Sequence, residues 1–299
     1  MEFLEVHEVP SLRSPVLITA FAGWNDAAQA ATSALRFLIK EWTARPLASI
    51  DPEEFFDFTS TRPLVRLDAD LQRELEWPSN RFFYHADADL DRDVVLLLGT
   101  EPHLKWRAFT RAVLELAERC GVSLVISLGA LLADTAHSRP VPLTGFATDP
   151  GLVERLGRQG ITSSRYEGPT GIVGVLHDAF RRQGVPSASL WAAVPHYLGA
   201  TPNPKATATL LRTLANLFSF DLDLRDLDEA AEHFERQVGE ALSSNPEIAS
   251  YVQELEQRAD ASAEEPAGEE GTELPSGETM VRELEEFLRH RREEEDPDF

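Results

Sequence analysis

The sequence predicts an α/β protein, a three-layer α/β/α body with a mainly parallel or mixed sheet, followed by a C-terminal helical hairpin. Three observations predict it. Short apolar runs alternate with segments of helical periodicity. Several of the runs are continuously apolar, as strands covered on both faces are. Beyond Asp221 the strand-like runs cease and only amphipathic segments follow.

Val16–Ala22 is the first such run, β-branched in part and ended by Gly23. From Asn25 to Trp42, Ala28, Ala31, Leu35, Leu38, Ile39 and Trp42 follow helical spacing, and Asn25 or Asp26 can cap the first turn by accepting from its unpaired N–H groups. The region Ala44 to His85 is weaker, with short strands at Leu64–Leu67 and Phe82–His85. Val94–Leu98 is a strand that breaks at Gly99, and Pro102 opens a helix through Cys120, because a first-turn N–H has no partner to lose. Ser123–Leu128 reads as a strand, Gly129 to Pro142 as a loop, Leu143–Ala147 as a weaker strand and Leu152–Leu156 as a short helix. Gly171–Gln183 reads as a helix, Ala188–Val194 as a strand and Pro204–Phe218 as a helix. Leu227–Leu242 and Glu247–Arg258, with Asn245-Pro246 between them, form the hairpin. The expected organisation is a body over 1–221, the hairpin over 222–259, an acidic disordered linker over 260–278, and a last amphipathic helix at Thr279–Arg292 within 279–299.

Charge bounds the function. The net charge is −23, and residues 261–299 account for −10 of it, with 14 acidic residues against four arginines. The body is therefore acidic as well, which repels phosphate backbones and anionic headgroups and argues against nucleic-acid or membrane partners. The opening MEFLEVHEVP lacks a basic region followed by an apolar one, and no apolar run approaches the ~18 residues of a bilayer span. A cytoplasmic protein is expected. Cys120 is the single cysteine, so no intrachain disulfide and no four-cysteine metal site can form, and its place at the end of an apolar-periodic segment makes it buried filler.

Signatures of chemistry are absent. The chain has no G-x-x-x-x-G-K-[ST], no G-x-G-x-x-G after a strand, no G-x-S-x-G elbow, and no metal spacing among its eight histidines. What remains is a set of polar residues after strand ends, where open α/β sheets bind ligands: Asn25, Asp26, Glu101, His137, Thr170, His196 and Tyr197. Each also has a structural reading. Asn25 and Asp26 are good caps, and Glu101 before Pro102 suits a helix dipole. His137 and His196 could act as general bases or simply hydrogen-bond. In Gly168-Pro169-Thr170-Gly171-Ile172-Val173-Gly174 the glycines relieve tight backbone and Thr170 can cap, while no lysine follows to hold a phosphate. The structural readings lead, and no catalytic residue, cofactor or metal is predicted.

Three segments in order resemble the PAC2 family, named for a proteasome assembly chaperone. They are Gly23-Trp24-Asn25-Asp26-Ala27 with Ala31-Thr32-Ser33-Ala34-Leu35; Tyr166-Glu167-Gly168-Pro169-Thr170-Gly171; and Val194-Pro195-His196-Tyr197 with Pro202-Asn203-Pro204-Lys205-Ala206-Thr207. The hairpin is similar to the extension of actinobacterial members. The resemblance implies a fold like that of nucleoside phosphorylases and homo-oligomeric assembly, with a trimer favoured. It also implies a protein partner, proteasome-related in eukaryotic and archaeal members, and it carries no catalytic residues. Proteasome-docking members end in a hydrophobic residue, Tyr and one more residue; here Asp298 stands in the Tyr position, a departure that speaks against that device. The segment Thr279–Arg292 could replace it as a tethered helix laid in a groove, or fold back on its own body. The leading expectation is thus a non-enzymatic binding or assembly factor. The alternative is a small-molecule binder or a hydrolase- or phosphorylase-like enzyme that uses the cleft at the strand ends.

Overall fold

The computed structural model describes residues 3–67, 71–88, 90–243 and 246–264. In chain order the elements are β1 (Leu4–Val6), β2 (Val16–Ala22), α1 (Ala30–Glu41), β3 (Arg45–Ile50), β4 (Leu64–Leu67), β5 (Arg73–Glu76), β6 (Asn80–His85), β7 (Val94–Thr100), α2 (Trp106–Cys120), β8 (Leu124–Ala133), β9 (Leu143–Ala147), α3 (Pro150–Arg158), β10 (Thr162–Ser163), α4 (Ile172–Arg182), β11 (Ser187–Pro195), α5 (Pro204–Phe218), α6 (Arg225–Ser243) and α7 (Pro246–Glu264). Nine strands form one mixed sheet in the order β1-β3-β6-β7-β2-β8-β11-β9-β10, and β4 pairs with β5 apart from it. β7, β2, β8 and β11 run parallel; β6 on one side and β9 on the other pair antiparallel to them.

Burial on both faces explains the continuous apolar runs. Every residue of β2 from Val16 to Phe21 is buried, and the side chains alternate between two cores. Val16, Ile18 and Ala20 join α1, α3 and α5 on one face, while Leu17 and Phe21 join α2 and α4 on the other. Thr19 is tolerated there because its hydroxyl donates to Ser127 Oγ at 2.9 Å across the β2–β8 pair. A third core unites the α6–α7 hairpin with the loop after β8 and the turn after β11, through Ala136, Tyr197 and Leu198 against Phe234, Val238, Leu242, Ile248, Val252 and Leu255.

The α/β/α layering and the helical segments at the C-terminus are those the periodicity predicts. The differences lie at boundaries and in weak strands. A short 3-10 turn over Ala27–Gln29 precedes α1, so the helix starts at Ala30 and not at Asn25. α2 starts at Trp106, after Lys105 in a left-handed conformation, and not at Pro102. β7 continues through Gly99 to Thr100, and β8 runs on to Ala133 through residues read as loop. β1, β3, β5 and β10 have no strand signature; Pro46 interrupts β3, whose register against β6 shifts there. α7 extends to Glu264, so the first residues assigned to the linker are helical, while the rest of the linker and Thr279–Arg292 lie outside the described residues. Cys120 is buried, and burial pushes its thiol pKa up, as filler requires. No described helix is long and apolar enough to cross a membrane.

Gly129 illustrates how tightly the central strands meet. It lies opposite Trp191 in the β8–β11 register, and a Cβ at 129 would sit 2.4 Å from Trp191 Cε3. An indole packed on the sheet cannot yield by that much. Gly129→Ala is expected to lower stability by about 1–3 kcal/mol, the usual cost of overpacking, measured as a drop in the urea midpoint.

Candidate functional site

Glu101 sets the geometry at the strand ends. β2 ends in Gly23, whose φ of +116° turns the chain toward Asn25, and the Glu101 N–H donates to Ala22 O at 2.9 Å. One carboxylate oxygen of Glu101 then accepts from Asn25 Nδ2 at 2.8 Å and from the Ile172 N–H at 2.7 Å. Ile172 is the first residue of α4, so Glu101 does serve a helix N-terminus, but that of α4 and not of the helix that follows it in sequence. Gly171 makes this approach possible, because a Cβ there would lie 2.5 Å from Asn25 Oδ1 and 2.6 Å from Glu101 Oε1.

Asp26 is used by α1. Its Oδ1 accepts from the N–H groups of Ala31, at 2.8 Å, and Thr32, at 3.2 Å, and its other oxygen accepts from the Thr32 hydroxyl. It therefore caps the helix from before the intervening 3-10 turn. Burial raises its carboxyl pKa, opposed by these hydrogen bonds and by Arg36.

His137 and Tyr197 meet elsewhere, beneath the hairpin. The Tyr197 hydroxyl accepts from the His137 N–H at 2.9 Å and lies 3.0 Å from the ring Nδ1. Lys205 Nζ donates to His137 O at 2.6 Å and pairs with Glu235 of α6. Burial lowers the His137 pKa and raises that of Tyr197 well above the usual phenol range. His196 is half-exposed, with its Nε2 3.5 Å from Asp134 Oδ1.

The seven candidates thus divide into groups. Asn25 and Thr170 line an open cleft of about 840 Å³ on the α4 side of the sheet, with Glu101 behind Asn25. Asp26 is turned to α1, and His137 and Tyr197 belong to the hairpin contact. His196 joins neither the cleft lining nor the hairpin core.

The cleft is bounded chiefly by Trp24 and Tyr166, which the sequence offered only within the family-like segments, and by Leu131, Phe146, His177 and Trp191, which it did not single out. Two buried polar atoms of lining residues have no protein partner, Asn25 Oδ1 and His177 Nε2. His177 Nδ1 lies 2.8 Å from Ser187 Oγ, but Ser187 is fully buried, so this pair is not presented to a ligand as a nucleophile and base would be. Arg181 at the rim pairs with Asp178 at 2.8 Å. Among the described residues no group of three or more His, Cys, Asp or Glu could hold a metal ion. The helical phase of α4 placed His177 on a buried face and was the one available signal for it; the pairing of Trp191 with Gly129 depends on strand register.

The family model for PAC2 matches residues 20–242, from the end of β2 through β11, with the Glu101 contact and most of α6. The chain belongs to the PAC2 family. A PAC2 family protein from Streptomyces avermitilis is 44% identical, with a TM-score of 0.71 over 80% of this chain and 99% of that one. A proteasome-assembly chaperone homologue from Mycobacterium tuberculosis is 42% identical, with a TM-score of 0.71 over 79% of this chain and 99% of that one. A Corynebacterium glutamicum protein of unknown function is 28% identical, with a TM-score of 0.81 over 89% and 100% of the two chains. No curated protein matches.

The buried imidazole gives a pH signature. Burial lowers the His177 pKa from 6.5 to about 4, so the unfolded chain binds the extra proton first. Its contribution to stability is complete above pH 6.5 and is lost as pH falls from 6.5 toward 4, by about 3 kcal/mol in all. Urea unfolding of wild type and His177→Gln at pH 7 and pH 4.5 should show wild type losing about 2–3 kcal/mol more than the variant over that interval.

Proposed function

We propose that this PAC2 protein is a non-enzymatic protein-binding factor with an assembly role toward a proteasome-related partner, acting in the cytoplasm. The observation that carries the reading is the commitment of Glu101, Asp26, His137 and Tyr197 to structural contacts. Glu101 is committed to Asn25 and α4, Asp26 to α1, and His137 and Tyr197 to the hairpin. A catalytic constellation needs a base within reach of a nucleophile or substrate proton, and these groups are spread over three separate contacts. The Mycobacterium tuberculosis homologue, described as a proteasome-assembly chaperone homologue, supplies the class of partner. A chain of net charge −23 favours partners that offer a basic surface and disfavours nucleic acid.

The test is affinity capture from the source cytoplasm with the full chain and with a chain lacking residues 265–299, identified by mass spectrometry. Proteasome subunits or their assembly intermediates should be recovered with the full chain, and recovery should fall as salt rises. Recovery of the chain alone, together with turnover of a metabolite by the purified protein, would contradict the reading.

A further inference from the structure

The two faces of the sheet are covered unequally. Among the described residues, α1, α3 and α5 pack on one face, and only α2 and α4 on the other. Strand alternation shows what this leaves open near the β9 edge. Leu143 and Ala147 of β9, with Ala188 and Leu190 of β11, join the core of α1, α3 and α5. Their neighbours Thr144, Phe146, Ser189 and Trp191 face the other way and floor the cleft. No β9 side chain enters the core that α2 and α4 form.

One side of α4 is the wall of this cleft. Thr170, Val173, Gly174, His177 and Arg181 follow one another along it at helical spacing, over about 16 Å. The cleft is therefore a groove beside a helix, floored by sheet. Trp24, Phe146 and Tyr166 on its walls and floor are 65%, 47% and 66% exposed, and a contiguous apolar surface of this kind marks a contact site. In a layered α/β fold, the element that covers such a strip of sheet is a helix with one apolar face.

One segment beyond the described body has that pattern. Met280, Val281, Leu284, Phe287 and Leu288 recur at spacings of one helical face about 12 Å long. All four arginines after residue 260 lie in Thr279–Arg292, against three glutamates, so this stretch is net positive while the body is acidic. The tether fits as well. Asp260 near the end of α7 accepts from Arg139 at 2.7 Å. Arg139 stands seven residues after Leu132, which lines the cleft, a separation of at most about 25 Å. The 14 residues 265–278 reach about 46 Å when extended and about 20 Å as a flexible chain. The β4–β5 ribbon offers no comparable face, since Arg73 pairs with Leu67 on one side and Leu64 with Glu76 on the other.

We infer that residues 279–292 lie as a helix in the cleft of their own chain, entering near Leu132 and running beside α4 with Phe287 toward Phe146. The segment then supplies the third helix of that sheet face. It also covers the apolar surface that a protein partner would use, so tail and partner compete for it. That competition, unlike the docking itself, rests on the binding role proposed above.

The experiment is amide hydrogen exchange on the full chain, read by mass spectrometry. Amides of residues 281–292 should exchange at least about tenfold more slowly than in a synthetic peptide of residues 279–292. Phe146→Asp should bring them to the peptide's rate with an unchanged circular dichroism spectrum. Equal rates in wild type and peptide would leave the cleft to another protein or a small molecule and would overturn the inference. So would protection that survives Phe146→Asp in a folded protein. Should that variant not fold, Leu284→Asp/Phe287→Asp gives a second reading from the tail. A fluorescent peptide of residues 279–292 should bind this variant at least about tenfold more tightly than wild type, where the tethered segment competes. Equal or absent binding rejects the docking. Phe146→Cys/Phe287→Cys treated with a bismaleimide should yield bridged single chains, since the native Cys120 is buried. No bridge, or bridges only between chains, contradicts docking within one chain.

Discussion

The Glu101 carboxylate joins three parts of the fold at a single oxygen. It takes the side-chain N–H of Asn25 at the end of β2 and the backbone N–H of Ile172 at the start of α4, while its own backbone extends β7. Helix N-termini carry unpaired donors and a partial positive charge, and an ionised acceptor there makes stronger hydrogen bonds than a neutral one. The contact fixes where α4 begins relative to the sheet. The position of α4 in turn sets one wall of the cleft and the burial of His177 and Phe180. Gly171 is the corollary, since any side chain at that point would collide with both partners of the clamp.

The same economy runs through the other polar groups. Asp26, Thr19, Asn203 and the His137–Tyr197–Lys205 set each satisfy a helix end, a strand pair or the docking of the hairpin. Buried polar groups left unpaired cost free energy, so their spending on structure is what a large layered core demands. What is left facing outward on the α4 side of β9 and β11 is mostly apolar, with Trp24, Phe146, Tyr166 and Trp191 at the cleft. Such a surface is what the proposed protein-binding role would use.

Local physics was legible in the sequence. Continuous apolar runs gave β2 and β7, whose side chains enter cores on both faces of the sheet, and the helical run from Pro204 to Phe218 gave α5. Asp26 was legible as a cap because Asp accepts from helix N–H groups wherever the chain brings it within reach. Non-local pairings were not. Glu101 was assigned to the helix beside it because nothing local reveals a partner 71 residues away. The strand-end list treated His137 and Tyr197 as neighbours of Asn25, since the docking of α6–α7 over the sheet end is a tertiary event. The cleft walls were hidden for a similar reason: Trp191 becomes a floor residue only through its register with Gly129.

The central claim is that strand-end polar residues hold backbone in place and do no chemistry, and Glu101 is where it is most exposed to test. The most direct measurement is amide hydrogen exchange across α4 in Glu101→Ala, alongside urea unfolding. The account predicts a folded protein that loses about 1.5–3 kcal/mol and exchanges fastest at the first turn of α4, because a charged acceptor has been taken from a buried donor. Unchanged protection and stability, coupled to loss of a measurable turnover, would contradict it.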